Sequence, residues 1–109
     1  MRFSVVVPLY NKENCIRMTL ESVKKQSFKD YEVIVVDDGS TDRSLEEARK
    51  IKSENITIIH QQNQGVSVAR NTGILHAQGQ YIAFLDADDE WEPDYLKTID
   101  HLIEKYPES

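Results

Sequence analysis

The sequence predicts an α/β fold, Rossmann-like in plan, with a parallel sheet ordered 3-2-1-4 and helices on both faces. Three observations predict it. Four short apolar segments recur along the 109 residues, and each is followed by a stretch with helical spacing. The crossovers between them are short, which between buried strands means parallel pairing under covering helices. Polar, Asp-rich stretches fall at the C-terminal ends of strands, where open α/β sheets bind ligands at the point of strand-order reversal.

The elements follow in order. Residues 2–7 (RFSVVV) are β-branched and apolar on both faces, as a strand covered on both sides should be. Residues 13–26 carry Ile16, Leu20 and Val23 at helical spacing, with Asn11 or Asn14 as the expected cap. Residues 31–36 (YEVIVV) form a second apolar strand, broken by DDGSTD, where Ser40 or Thr41 can cap a helix presenting Leu45, Ala48 and Ile51. ITIIH, at 56–60, is the third strand. After the polar turn QNQG, a helix lines up Val66, Ala69, Gly73 and Ala77. YIAFL, at 81–85, is the fourth strand, and Pro93 suits the first turn of a last helix that presents Leu96, Ile99 and Ile103. Pro107 closes that helix.

Composition narrows the function. An apolar share of 39% supports a core, and 29% charged residues spread along the chain argue against disorder. The net charge is −6, and no basic run exceeds pairs such as Lys24-Lys25, so there is no footprint for a nucleic-acid backbone. Cys15 is the only cysteine, which excludes an internal disulfide and a Cys-rich zinc site. No apolar run approaches a membrane span, and the N-terminus is too short and polar for a signal peptide. A cytoplasmic domain is expected, with membrane association only through other segments or partners.

A strand order of 3-2-1-4 brings three polar ends together: PLYN after strand one, DDGSTD after strand two and DADDE after strand four. Carboxylates 4 Å apart repel by about 1 kcal/mol in water and about 4 kcal/mol at the effective dielectric of a protein surface. An isolated acidic tetrad is usually a solvated turn. Here Asp86 ends a strand near the one that ends in Asp37-Asp38, with no basic residue close in sequence. A hard divalent ion, Mn²⁺ or Mg²⁺, taking one or two carboxylates plus ligand phosphates would relieve that repulsion. Asp86 and Asp88, two apart on an extended segment, point to one side. Gly39, Ser40 and Asp42 shape ordinary turn chemistry, which leaves one Asp of the 37–38 pair free to accept from the N–H of a nucleobase. Tyr10 offers a ring to pack on a base. The small residues of GVSVARNTG allow close helix–sheet packing, and Arg70 pairs with phosphate or with the acidic cluster. His60, His76 and His101 show no metal-ligand spacing.

VVVPLYN, VIVVDDGSTD, NQGVSVARNTG and YIAFLDADDEWEPDYL, in this order and spacing, closely resemble glycosyltransferase family 2, whose fold is called GT-A. The likeness runs from Phe3 to about Leu102. It implies an enzyme that moves a sugar from a nucleotide-diphosphate donor, commonly a UDP-sugar, to an acceptor with inversion at the anomeric carbon. It implies that Pro8 and Tyr10 border the nucleoside, that Asp38 contacts the base and that Asp86 lies near the ribose. Asp88 would bind the Mn²⁺ or Mg²⁺ that bridges the diphosphate, and Gly65 and Arg70 would lie close to the nucleotide.

The resemblance also implies a general base from the second half of such a domain, beyond Ser109. Residues 1–109 are therefore expected to be the nucleotide-diphosphosugar-binding portion of a GT-A domain, without its acceptor half. The sheet edge at strand four would then be unpaired, and homo-oligomers through it are expected. Two further readings compete. A sugar-nucleotidyltransferase normally carries a Gly- and Arg-rich loop after strand one, and PLYNKEN has no Gly. A non-catalytic nucleotide-sugar-binding module would have the same donor site but no base. A dinucleotide-binding dehydrogenase is disfavoured because no Gly-x-Gly-x-x-Gly follows any strand.

Overall fold

The computed structural model describes residues 1–107. Its elements are β1 (Phe3–Leu9), α1 (Ile16–Lys24), β2 (Tyr31–Asp38), α2 (Ser44–Arg49), β3 (Ile56–Gln61), α3 (Val66–His76), β4 (Tyr81–Phe84) and α4 (Tyr95–Lys105). The strands make one parallel sheet in the order β3-β2-β1-β4, the order expected.

Side chains alternate between the two faces of the sheet, and each face has its own core. Phe3, Val5, Val7 and Leu9 of β1 join Tyr31, Val33 and Val35 of β2 on one face. Ile16, Leu20 and Val23 of α1, Ala48 of α2 and Leu96 of α4 close over them. On the other face Ile34 and Val36 meet Ala69 of α3, with Ile59 and Ala77 at the margin. Gly73 lets α3 sit directly on β1: a Cβ there would lie 2.3 Å from Val6 Cγ1. The expected face of α3 is thus half right, because Ala69 and Gly73 are buried while Val66 is 51% exposed.

Three expectations change. β4 is not covered on both faces: Tyr81, Ile82 and Phe84 are 38%, 36% and 46% exposed. It is the edge strand, and the single helix on the second face, α3, packs on β1 and β2 instead. Neither Asn11 nor Asn14 caps α1, and neither Ser40 nor Thr41 caps α2. Cys15 and Arg43 hold those positions without a side-chain cap hydrogen bond, and Asn11, Ser40 and Thr41 instead tie one loop to the other. Pro93 stands just before Asp94, the residue that flanks the first turn of α4, so it lies outside the helix.

Pro8 sits inside β1 at no cost. Leu85 N donates to Val6 O at 3.0 Å, so Val6 faces β4, and so by alternation does Pro8. The pairing of β1 with β4 ends at Val6 and Phe84, so the missing N–H of Pro8 faces no ladder partner.

Two outcomes follow from this packing. Gly73→Ala should cost about 1–3 kcal/mol by overpacking against Val6, read as a lower urea midpoint. Combined with Val6→Ala it should cost less than the sum of the single changes. For the unpaired β4 edge, sedimentation of this chain should show dimers or larger species, which Phe84→Lys returns to monomer.

Candidate functional site

The parallel sheet puts the ends of β1, β2 and β4 on one side of the molecule. β1 lies between the other two, so the tips of β2 and β4 stand about 10 Å apart at the usual strand spacing. The register pairs Leu9 with Asp37 and Val6 with Phe84, which sets Tyr10 beside Asp38 and Pro8 near the start of the Asp86 turn.

The loops beyond these tips are bound together by side chains. Asn11, at φ 51°, accepts through Oδ1 from Thr41 N at 2.8 Å, and its own N–H donates to Ser40 Oγ at 3.0 Å. Lys12 N donates to Ser44 Oγ at 2.7 Å. Asp42 Oδ1 accepts from Ser44 N at 2.9 Å and Oδ2 from Glu13 N at 3.2 Å. Desolvation raises the Asp42 pKa, but the hydrogen bonds from Ser44 and the backbone outweigh it and hold the carboxyl below its usual value. Gly39, at φ 70°, makes the turn after β2 and lies so close to Asn63 that a Cβ would approach Asn63 N to 2.6 Å.

The two aspartates of VVDDGSTD separate by strand alternation. Asp37 turns to the α1 face, where Oδ2 lies 2.8 Å from His60 Nδ1 and Oδ1 has no partner among the described residues. Asp38 turns to the α3 face and is 3% exposed. Its Oδ1 accepts from Gln61 Nε2 and Gln64 N, both at 2.9 Å. Its Oδ2 accepts from Gly65 N at 3.0 Å and Asn63 Nδ2 at 3.3 Å. Those donors hold the loop that starts α3, with a negative charge at the favourable end of the helix dipole. Thr72 extends the chain of contacts, donating to Gln61 Oε1 at 2.7 Å.

Between this loop and β1 lies a cleft of about 280 Å³ lined by Pro8, Leu9, Tyr10, Asp38, Asn63, Gly65, Val66 and Ala69. Four residues singled out in the sequence, Pro8, Tyr10, Asp38 and Gly65, therefore share one wall-to-wall space. Tyr10 is 45% exposed, so part of its ring is open beside the cleft. Asn63 belongs to the same lining and escaped the sequence reading, where QNQG looked like a plain turn.

Asp86 and Asp88 stand at the next strand tip, in a turn rather than an extended segment, closed by Asp89 N donating to Asp86 O at 3.0 Å. Both are exposed, with Ala87 buried between them. The turn is anchored from α1 by a polar stripe that apolar periodicity concealed. Thr19 Oγ1 lies 2.9 Å from Ala87 O and 2.6 Å from Asp89 O, sharing its proton between them. Ser22 Oγ accepts from Trp91 N at 3.2 Å. Gln26 donates through Nε2 to Glu92 O at 2.6 Å and accepts through Oε1 from Leu96 N at 2.9 Å. Thr19, Ser22 and Gln26 recur at 3 and 4, so the helical period that revealed Ile16, Leu20 and Val23 carries this signal too.

Tertiary structure also supplies the cations that local sequence lacks. Lys12 Nζ lies 3.5 Å from Asp88 Oδ2, and Arg70 Nη2 lies 3.8 Å from Asp86 Oδ1 with its guanidinium over the Phe84 ring. Asp86 and Asp88 thus each face one exposed cation from another element, so their charges alone do not require a metal. Among the described residues no three His, Cys, Asp or Glu side chains gather as a metal-binding group. The turn could serve a divalent ion of one kind only: Asp86 and Asp88 are exposed carboxylates that already face cations, and the remaining ligands would come from phosphate oxygens and water.

The comparisons with known proteins agree with this geometry. The model for glycosyl transferase family 2 matches residues 4–109. Glycosyltransferase GlyA of Streptococcus pneumoniae serotype 4 is 42% identical over 107 residues, covering 96% of this chain and 15% of GlyA. The structure of S. aureus TarS 1-349 in complex with UDP superposes with a TM-score of 0.92 at 35% identity, covering 98% of this chain and 33% of TarS. Mannosyltransferase PcManGT from Pyrobaculum calidifontis, in complex with GDP-Man and Mn²⁺, superposes with a TM-score of 0.88 at 29% identity, covering 94% of this chain and 32% of that one. The chain therefore spans a third or less of these relatives, and within that span the family match, the GT-A architecture and the clustered strand tips agree: the chain belongs to glycosyltransferase family 2.

Proposed function

We propose that this chain is the donor-binding portion of an inverting glycosyltransferase that uses a UDP-sugar with Mn²⁺ or Mg²⁺. The observation that carries this reading is the adjacency of the Tyr10–Asp38 cleft and the Asp86–Asp88 turn at neighbouring strand tips. The first suits a nucleoside and the second a charged diphosphate. TarS in complex with UDP and PcManGT with GDP-Man and Mn²⁺ support the same ligand class.

On this reading Pro8 and Tyr10 border the base and ribose, and Gly65 and Asn63 form the opposite wall. Asp38 already accepts from four donors, about the capacity of a carboxylate, so a base N–H replaces one of them and does not add a fifth. Asn63 is the donor most easily exchanged, since its amide also holds Asp38 O at 3.0 Å and its bond to the carboxylate is the longest. Asp86 lies near the ribose, and Arg70, released from its 3.8 Å contact with Asp86, is placed to meet phosphate. Asp88 would hold the divalent ion, which when bound stabilises negative charge on the departing diphosphate.

In the transfer, an acceptor hydroxyl oxygen bonds to the anomeric carbon from the face opposite the leaving group. The bond from that carbon to the diphosphate breaks and its electron pair leaves with the nucleotide. The acceptor proton passes to a carboxylate base, which on this reading belongs to the portion of the relatives that this chain does not span. The acceptor is a saccharide, a lipid or another hydroxyl compound. No helix among the described residues is long and apolar enough to cross a membrane.

Calorimetry tests the cation role. Asp88→Ala should abolish UDP binding that depends on Mn²⁺, and binding at wild-type strength would remove Asp88 from that role. Asp38→Asn should act twice, because an amide NH₂ would face a donor. Each buried donor left unpaired costs about 1–3 kcal/mol, so the urea midpoint should fall together with UDP affinity. A large loss of UDP binding at unchanged stability would instead assign Asp38 to the base alone.

A further inference from the structure

We infer that Lys12 is a displaceable stand-in for the cation at Asp88, and that it passes to the donor's diphosphate when the divalent ion arrives. The inference rests on the reading of Asp88 proposed above. Its ground is a contrast between fixed backbones and free side-chain tips. Lys12 N donates to Ser44 Oγ at 2.7 Å, and Lys12 O accepts from Cys15 N and Ile16 N, both at 3.0 Å. The preceding residue, Asn11, is locked at φ 51° by its bonds to Ser40 and Thr41. Across the gap, the backbone on either side of Asp88 is held by Thr19 through Ala87 O and Asp89 O.

Only the tips are loose. The Lys12 and Asp88 side chains are 44% and 50% exposed and their charged atoms lie 3.5 Å apart, so the pair is weak and solvent-screened. That strength is enough to balance Asp88 in the ligand-free protein and too little to resist a divalent ion. Once the ion is on Asp88, the ammonium is repelled by like charge. The anions it would then meet are the oxygens of the diphosphate that accompanies the ion. Lysine suits this exchange because its ammonium is a compact point charge with three rotatable donors. Arg70 is different, since its planar guanidinium is held over the Phe84 ring as well as facing Asp86.

Two consequences follow. Bare Mn²⁺ competes with Lys12 and binds poorly, whereas ion and nucleotide bind together because Lys12 has somewhere to go. The experiment compares wild type with Lys12→Met, which keeps the stem and removes the charge, and with Asp88→Asn. Mn²⁺ is titrated alone and read by paramagnetic broadening of the Ala87 and Asp89 amide signals. UDP is then titrated calorimetrically with Mn²⁺ present. Lys12→Met should bind bare Mn²⁺ about two- to five-fold tighter, in line with the strength of an exposed pair, and UDP with Mn²⁺ about three- to ten-fold weaker. Unchanged Mn²⁺ affinity overturns the stand-in, and unchanged UDP affinity overturns the transfer to diphosphate. Should Asp88→Asn keep full Mn²⁺-dependent UDP binding, the reading of Asp88 itself falls. If Asp88→Asn abolishes that binding while Lys12→Met changes nothing, only the present inference falls.

Discussion

The Asp38 carboxylate is buried, and a buried charge is costly unless several donors meet it. Gln61, Asn63, Gln64 and Gly65 meet it, and in doing so they are drawn into one conformation. The cleft beside β1 exists because this loop is pulled down onto the end of β2 and α3 starts where the loop stops. Asp38 is therefore a structural centre first, and whatever it does for a ligand is done by a group whose position is already set. Preorganisation of that kind lowers the ordering cost of binding.

The same economy governs the turn after β4. A strand that leaves its ladder strands its backbone groups, and Thr19 and Ser22 of α1, with Gln26 just after it, take them up over a run reaching from Ala87 to Leu96. Asp86 and Asp88 are thus exposed carboxylates on a rigid support. On the other flank, Asn11, Ser40, Thr41 and Asp42 join the first two loops. The three strand tips behave as one assembly, with Lys12 and Arg70 placed between its acidic parts.

The molecule is lopsided in its covering. Three helices close one face of the sheet and one helix closes the other, centred on β1 and β2. β4 consequently shows aromatic and aliphatic surface on its outer side, next to the tip that bears Asp86. The chain spans 33% of TarS and 15% of GlyA.

Local pattern was sufficient for the alternation of strands and helices, the parallel sheet and most of the core, because apolar periodicity reports burial directly. Ile16, Leu20, Val23, Ala48 and Leu96 all lie where that periodicity places them. Strand order brings the polar strand ends together, and the resemblance to glycosyltransferase family 2 named Pro8, Tyr10, Asp38 and Gly65, which do line one cleft. Tertiary structure decided the rest. Which aspartate of the 37–38 pair opens onto the cleft depends on strand parity relative to the covering helices. The partners of Asp38 come from 23 to 27 residues away, and the cations facing Asp86 and Asp88 come from other elements. Hydrogen bonds and ion pairs join groups that folding makes neighbours, and such neighbours leave no period in a sequence.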